Sequence, residues 1–151
     1  MIFILGIIYD TTMRRRIVLD TNILVAGLQS RRGASHRLLE LVGTGSFEHC
    51  ISVGLLFEYE SIIKRQDMMH GLSEQKLDAI LDYLVASGRK VDIHFLWRPV
   101  LQDPSDDLVL EVAVAGECDA IVTYNLRDFL GSEHFGIKAL TPAEFLTGLE
   151  K

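Results

Sequence analysis

The segment IVLDTN, residues 17–22, decides how this chain folds. Ile17, Val18 and Leu19 form a short apolar run, which predicts a buried β-strand. The run ends at Asp20, so an acidic side chain directly follows the carboxyl end of the predicted strand. The residues packed around that end of the strand must therefore accommodate a carboxylate.

The rest of the chain alternates short apolar runs with helical patterns. Further strands are predicted over residues 50–53, 120–123 and 137–140, and 91–96 is predicted as a strand or an extended loop. Helices are predicted over 34–43, after a cap at Ser52, after Ser73, over 108–115 and after the cap Thr141. Asp103 to Asp106 is predicted as a turn. This alternation predicts an α/β fold with a parallel sheet covered by helices on both faces.

Composition narrows the classes of protein. The 151 residues suit one domain, and 48% hydrophobic with 24% charged residues indicates an ordinary folded chain. The net charge of −6 argues against binding to nucleic acid by bulk charge alone, but it leaves open an acidic pocket with a basic rim. Cys50 and Cys118 lack metal-binding spacing, which favours a reduced, cytoplasmic protein, and the five histidines show no ligand pattern.

The first residues require a separate interpretation. Residues 1–9 read MIFILGIIY, which is too short to span a bilayer and lacks the charged start of a signal peptide. We therefore expect no membrane association. We expect residues 1–12 to be an N-terminal extension and residues 13–151 to form the domain.

Acidic side chains gather where this fold would bring strand ends together. Asp20 ends one predicted strand, while Asn125 and Asp128 follow another. Asp106 and Asp107 begin a buried helix. Ligand sites of parallel sheets form outside the carboxyl ends of the strands. Glu58 or Glu60, on the helix after Ser52, is also within reach of this crevice.

A cluster of carboxylates is tolerated mainly when a cation neutralises it, and oxygen ligands favour Mg²⁺ or Mn²⁺. Each acid also has a plainer interpretation. Asp20, Asp106 and Asp107 are suitable helix caps, Asp128 is a suitable turn former, and the two glutamates suit a solvated helix face. Their joint placement at one edge of the sheet favours a metal site.

Four blocks of the sequence resemble the motifs of PIN domains, in the order of that family. The blocks are IVLDTN (17–22), FEYE followed by IIKR (57–65), QDPSDDLVLE (102–111) and IVTYNLRDF (121–129). The resemblance as a whole covers about residues 16–148, and the chain is most similar to the VapC-like toxins of the family. One departure is Ser105, where a further Asp is common.

The resemblance implies a metal-dependent endoribonuclease with a parallel sheet of about five strands between helices. Carried over by motif, the metal-site acids would be Asp20, Glu58, Asp107 and Asp128. The resemblance also implies Asn125 as a catalytic group, with Thr123, Asp103 and Asp106 in supporting positions. It further implies Mg²⁺ or Mn²⁺ as cofactor, an RNA substrate, a cognate antitoxin protein and a homodimer. Candidates for contacting the RNA backbone are the basic residues Arg14, Arg15, Arg16, Arg31, Arg32, Arg37, Lys64, Arg65 and Arg127.

Two other functions compete with this hypothesis. A phosphotransfer domain of the receiver or haloacid-phosphatase type also places an Asp at a strand end. It would need a second Asp two residues later, where this chain has Asn22, or a lysine after a late strand. A non-catalytic PIN fold used as a binding module would usually have lost one of its acids, whereas all are present here.

Overall fold

The computed structural model describes residues 2–4, 7–9, 14–65, 71–94, 101 and 103–150, with side chains from residue 14 onward. The predictions for residues 10–12 and 95–96 lie outside this part of the chain. The described strands are β1 (Ile2–Ile4), β2 (Ile7–Tyr9), β3 (Arg16–Leu19), β4 (Glu48–Ile51), β5 (Arg89–Lys90), β6 (Ala120–Val122) and β7 (Lys138–Leu140).

Five of these strands form one parallel sheet in the order β5-β4-β3-β6-β7. The predicted α/β fold with a parallel sheet is therefore confirmed. Strand β3 lies at the centre, and Ile17, Val18 and Leu19 are all fully buried, as the apolar run predicted. Strands β1 and β2 pair antiparallel in a separate two-stranded sheet. The assignment of residues 1–12 as an extension remains a prediction.

Helices connect and cover the strands. They are α1 (Thr21–Gln29), α2 (Ala34–Leu41), α3 (Val53–Arg65), α4 (Glu74–Ser87), α5 (Pro104–Ala115) and α6 (Pro142–Leu149), with a 3₁₀ segment over Leu126–Phe135. The predicted caps Ser73 and Thr141 begin α4 and α6, and Ser52 accepts a hydrogen bond from the backbone of Leu55 at the start of α3. None of the helices described is long and apolar enough to cross a membrane.

The prediction of a turn at Asp103–Asp106 was wrong. Helix α5 already begins at Pro104, with Asp103 as its cap, because an Asp followed by Pro suits a helix start as well as a turn. The second strand also lies two residues earlier than predicted, at Glu48–Ile51. Asp20 caps α1, as its plainer interpretation predicted, whereas Asp106 and Asp107 lie inside the first turn of α5 and do not cap it. The bounds of α1 and of the 3₁₀ segment had no sequence-based prediction.

Two helices approach the carboxyl end of β3. Helix α5 packs against β3, β4 and β6, and α3 packs against α5. The hydroxyl of the fully buried Tyr59, on α3, donates a hydrogen bond to the carbonyl of Leu19. This bond fixes α3 beside the residue that immediately precedes Asp20.

Candidate active site

Asp20 lies at the base of the site with both carboxylate oxygens held. The backbone N–H of Thr21 donates to Oδ1 at 2.8 Å, and the Thr123 hydroxyl donates to Oδ2 at 2.7 Å. The side chain is only 8% exposed. Burial raises the pKa of Asp20, the two hydrogen bonds act in the opposite direction, and the charges of Asp128 and Asp103 raise it further. Asp20 is thus a carboxylate that is held in place, is poorly solvated and is affected by the charges of neighbouring acids.

Thr123 orients Asp20 from the neighbouring strand. Its Oγ1 accepts a hydrogen bond from the backbone N–H of Asn125 at 2.9 Å, so its own proton is free to point at Asp20. The pairing of β3 with β6 continues through the bond from Asp20 N to Val122 O, which brings the two strand ends together. Asn125 itself is exposed at the start of the loop that follows.

Asp103 and Asp106, at the start of α5, line an open cleft of about 770 Å³. Asp128 lines the same cleft from the 3₁₀ segment, together with Arg127. Desolvation, followed by the charges of Asp20, Asp103, Asp128 and Asp107, raises the pKa of Asp106 to about 7. Asp20, Asp103, Asp106 and Asp128 therefore form one group, in which the charges of the other three act on Asp106 and those of Asp103 and Asp128 act on Asp20. The charge of Asp107 acts on Asp106 as well.

Asp107 has a different environment from Asp106, although the two are adjacent. It is 3% exposed, and its Oδ1 accepts a hydrogen bond from the backbone N–H of Leu101 at 2.9 Å. Leu101 lines the cleft, whereas Asp107 is not among the lining residues. Asp107 thus holds the segment that leads into α5.

Glu58 and Glu60 occupy different sides of α3. A side chain at Gly54 would come within 3.2 Å of Leu108 on α5, and Glu58 follows Gly54 by one helical turn, on the same side of α3. Glu60 instead pairs with Lys64 at 3.2 Å, and Lys64 also pairs with Asp78 on α4. The helical spacing therefore places position 58 on the side of α3 that approaches α5, and Glu60 lies toward α4.

The donor set of this group suits a hard cation, because it consists of carboxylate oxygens. Within the described part of the chain, no three His, Cys, Asp or Glu side chains are close enough to bind one metal ion jointly. Mg²⁺ usually keeps several waters and takes only one or two carboxylates directly. The carboxylates therefore suit Mg²⁺ or Mn²⁺, even though they do not provide a complete set of ligands.

Two groups that hold or border the site were not identified from the sequence. Tyr59 anchors α3 to Leu19, and its position among the apolar residues of that helix gives no signal for a polar role. Tyr124 lies between Thr123 and Asn125 with 47% of its surface exposed, and its hydroxyl shares a hydrogen bond with Ser35. A large aromatic residue inside a polar motif would have been the signal for Tyr124.

Comparison with known proteins places these observations in a family. The sequence profile of the PIN domain matches residues 16–127. A chain in the crystal structure of VapBC2 from Rickettsia felis, bound to a DNA fragment from their promoter, has a similar fold with a TM-score of 0.59. The two are 18% identical, and the match covers 82% of this chain and 98% of that chain. No curated protein matches the sequence significantly.

Proposed function

Because this chain belongs to the PIN domain family, we propose that it is a metal-dependent endoribonuclease and the toxin component of a toxin–antitoxin pair. One observation carries the proposal: Asp103, Asp106 and Asp128 line one open cleft, and Asp20, at the carboxyl end of β3, interacts electrostatically with them. A group of this kind costs stability unless a cation offsets the repulsion. Asp20 and Asp103 also cap helices, but capping does not account for Asp106 and Asp128 beside them.

Each residue has a proposed role. Asp20 and Asp128 contact the metal, Glu58 completes the set from α3, and Asn125 and Thr123 support Asp20. For the third acid the motif favours Asp107, whereas the cleft geometry favours Asp106, so the two must be compared directly. A bound Mg²⁺ or Mn²⁺ would activate a water and stabilise charge on the scissile phosphate. Arg127 lies on the cleft wall in a position to contact the RNA backbone.

The proposed partners follow from the same family. VapBC2 of Rickettsia felis is described as bound to promoter DNA, and its fold similarity supports a cognate antitoxin for this chain. A homodimer is proposed on the resemblance alone, and a cytoplasmic location on the two cysteines without metal-binding spacing. The alternative function is a non-catalytic binding module with the same fold.

The first experiment replaces Asp20 with Asn, which removes a charge while keeping the size of the side chain. Purified parent protein should cleave single-stranded RNA with Mg²⁺ or Mn²⁺ and not with EDTA. Asp20→Asn should reduce the rate by roughly 10³-fold, since several kcal/mol of transition-state stabilisation are lost with a metal ligand. Glu133→Gln, an exposed acid at the far end of the 3₁₀ segment, is the control and should cleave normally. No cleavage by the parent protein with either metal would favour the binding module.

A further inference from the structure

An exposed aromatic ring stands directly beside the acidic group. Tyr124 follows Thr123, which holds Asp20, and precedes Asn125, whose backbone holds Thr123. Both neighbours of the ring are therefore fixed by the hydrogen bonds of the site itself. Although it is 47% exposed, the Tyr124 side chain is also tethered at its far end, because its hydroxyl shares a hydrogen bond with Ser35 of α2.

Basic residues flank the point where Tyr124 is tethered. Arg31 and Arg32 lie in the loop before α2, and Arg37 lies two residues after Ser35. All three are exposed, and none forms a salt bridge within the described residues. Hydrogen bonds between Ser30 and the backbone of Arg32 order this loop. In a chain with a net charge of −6, three exposed cations without salt bridges, close in sequence to the residue that tethers Tyr124, suggest a polyanionic ligand.

We propose that Tyr124 is a stacking platform for one base of single-stranded RNA, with Arg31, Arg32 and Arg37 along the path of its backbone. Single-strand-binding proteins combine these two elements, because every base has a face that stacks and every nucleotide has a phosphate. The platform would orient the strand next to Asp20. It would also exclude duplex RNA, whose bases are already stacked. This inference rests on the proposed ribonuclease function for the identity of the ligand.

Stacking is tested by measuring RNA binding in EDTA, which removes the metal ion that the proposed cleavage requires. The probe is a fluorescent 12-nucleotide oligo(U) RNA, compared with a blunt RNA duplex. Tyr124→Ala should weaken single-strand binding roughly 5- to 100-fold, in line with the loss of one stacked base, and should leave duplex binding unchanged. Tyr124→Trp should restore it, since tryptophan keeps a stacking face. Tyr83→Ala is the matched control, because Tyr83 is 51% exposed and its hydroxyl is likewise bonded, to the carbonyl of Val42 at the end of α2.

A series of oligo(U) probes with one abasic position identifies the stacked base. One position should weaken binding to the parent protein and have no further effect on Tyr124→Ala, because the same contact is already missing. The double substitution Arg31→Gln, Arg32→Gln should lower the slope of log affinity against log salt by about 1 to 2. Lys138→Gln should not change that slope. Lys138 pairs with Ala120 at the amino end of β6, away from the carboxyl ends of the strands where the site lies.

The outcomes separate this inference from the proposed function. Loss of binding in Tyr124→Ala without cleavage by the parent protein would support the platform and contradict the nuclease. Cleavage by the parent protein with equal RNA affinity in the parent, Tyr124→Ala and Tyr83→Ala would overturn the platform alone. An abasic effect that persists unchanged in Tyr124→Ala would also overturn it. In the active protein, Tyr124→Ala should raise KM more than it lowers kcat, as expected when uniform binding is removed.

Discussion

At the scale of single residues, two adjacent aspartates occupy different environments. Asp106 lines the cleft and interacts with Asp20 and Asp128, whereas Asp107 is buried against the backbone of Leu101. Successive side chains of a helix diverge by about 100°, so only one of two neighbours can face a given site. The sequence motif DD cannot reveal which one does.

Matched substitutions of these two aspartates decide which is the third acid. Asp106→Asn should lose most RNA cleavage, while Asp107→Asn should keep much of it, because an Asn amide oxygen can still accept the bond from Leu101. Initial rates at saturating Mn²⁺ are the measurement. If Asp107→Asn is inactive and Asp106→Asn is active, the assignment from the motif holds instead.

The raised pKa of Asp106 predicts how the stability of the protein depends on pH. The pKa of Asp106 is raised to about 7 by desolvation and by the surrounding acids, so its ionisation opposes folding. In EDTA, its contribution to the stability of the parent protein is therefore present at pH 4 and is lost as the pH rises through 7. Asp106→Asn should flatten the fall in melting temperature between pH 5 and pH 8. If the melting temperature of Asp106→Asn changes with pH as that of the parent protein does, the neighbouring acids do not affect the ionisation of Asp106.

Glu58 and Glu60 provide the other residue-level test. Glu58→Gln should impair cleavage because this side of α3 approaches α5, whereas Glu60→Gln should weaken only a partly exposed pair with Lys64, which keeps Asp78 as a partner. Surface pairs of this kind contribute about 0 to 1 kcal/mol, so Glu60→Gln should remain folded and active. Activity lost only in Glu60→Gln would reverse the assignment.

At the scale of elements, the sequence predicted most strands and helix caps but not every boundary. The strands around Ile17 and Ile121 are short, wholly apolar and bounded by polar residues, which leaves little ambiguity. The start of α5 was misplaced because Asp103–Pro104 has two local interpretations, and only packing against the sheet selects the helix. Helix α1 has a mostly apolar sequence that carries no clear helical period.

The same limit applies to the candidate site. That Asp20 and Thr123 follow the ends of two strands is readable from the chain, and the structure brings them into contact. The tether from Tyr124 to Ser35 joins residues 89 positions apart, so no local pattern contains it. Contacts of that kind depend on how α2 is placed, which is a property of tertiary packing.

The placement of α2 depends on Gly27, which allows α1 to approach it. A Cβ at this position would lie 2.4 Å from Leu39 Cδ1 and 3.1 Å from the carbonyl of Ser35. Gly to Ala inside a helix normally stabilises by about 0.5–1 kcal/mol, but here the backbone contact opposes that gain. Gly27→Ala should therefore lower the free energy of unfolding, by roughly 1–3 kcal/mol.

Gly148→Ala is the control for this prediction. A Cβ on Gly148 in α6 would meet only the flexible end of Arg15, at 3.0 Å. Its effect on the free energy of unfolding should therefore be neutral or slightly favourable. Urea denaturation of both variants is the measurement, and a stabilised Gly27→Ala would show that α1 and α2 can separate without cost.

At the scale of the whole molecule, charge is distributed unevenly. The net charge of −6 would repel RNA, yet Arg127 lines the cleft, and the exposed Arg31, Arg32 and Arg37 lie close in sequence to Ser35, which is bonded to Tyr124. A cation bound by the acids would reduce the local repulsion further. RNA affinity should therefore depend on two separable components, the bound metal and the basic flank.

Metal binding should also stabilise the entire fold. The acids of the cleft come together only in the folded chain, so Mn²⁺ has little affinity for the unfolded state. At a hundredfold excess over its dissociation constant, the ion should add about 2.7 kcal/mol to the free energy of unfolding. For a domain of this size that corresponds to a rise in melting temperature of roughly 5–10 °C.

The rise should be larger at pH 8 than at pH 6, because at pH 6 the proton on Asp106 must be displaced before the ion can bind. Asp20→Asn should show a much smaller rise at both pH values, since it removes a carboxylate that the ion would contact. Melting curves in EDTA, in millimolar Mn²⁺ and in NaCl of equal ionic strength separate specific binding from screening. A rise that NaCl reproduces, or that Asp20→Asn shows in full, would mean that the acidic cleft does not bind the metal, and the hydrolytic mechanism would lose its basis.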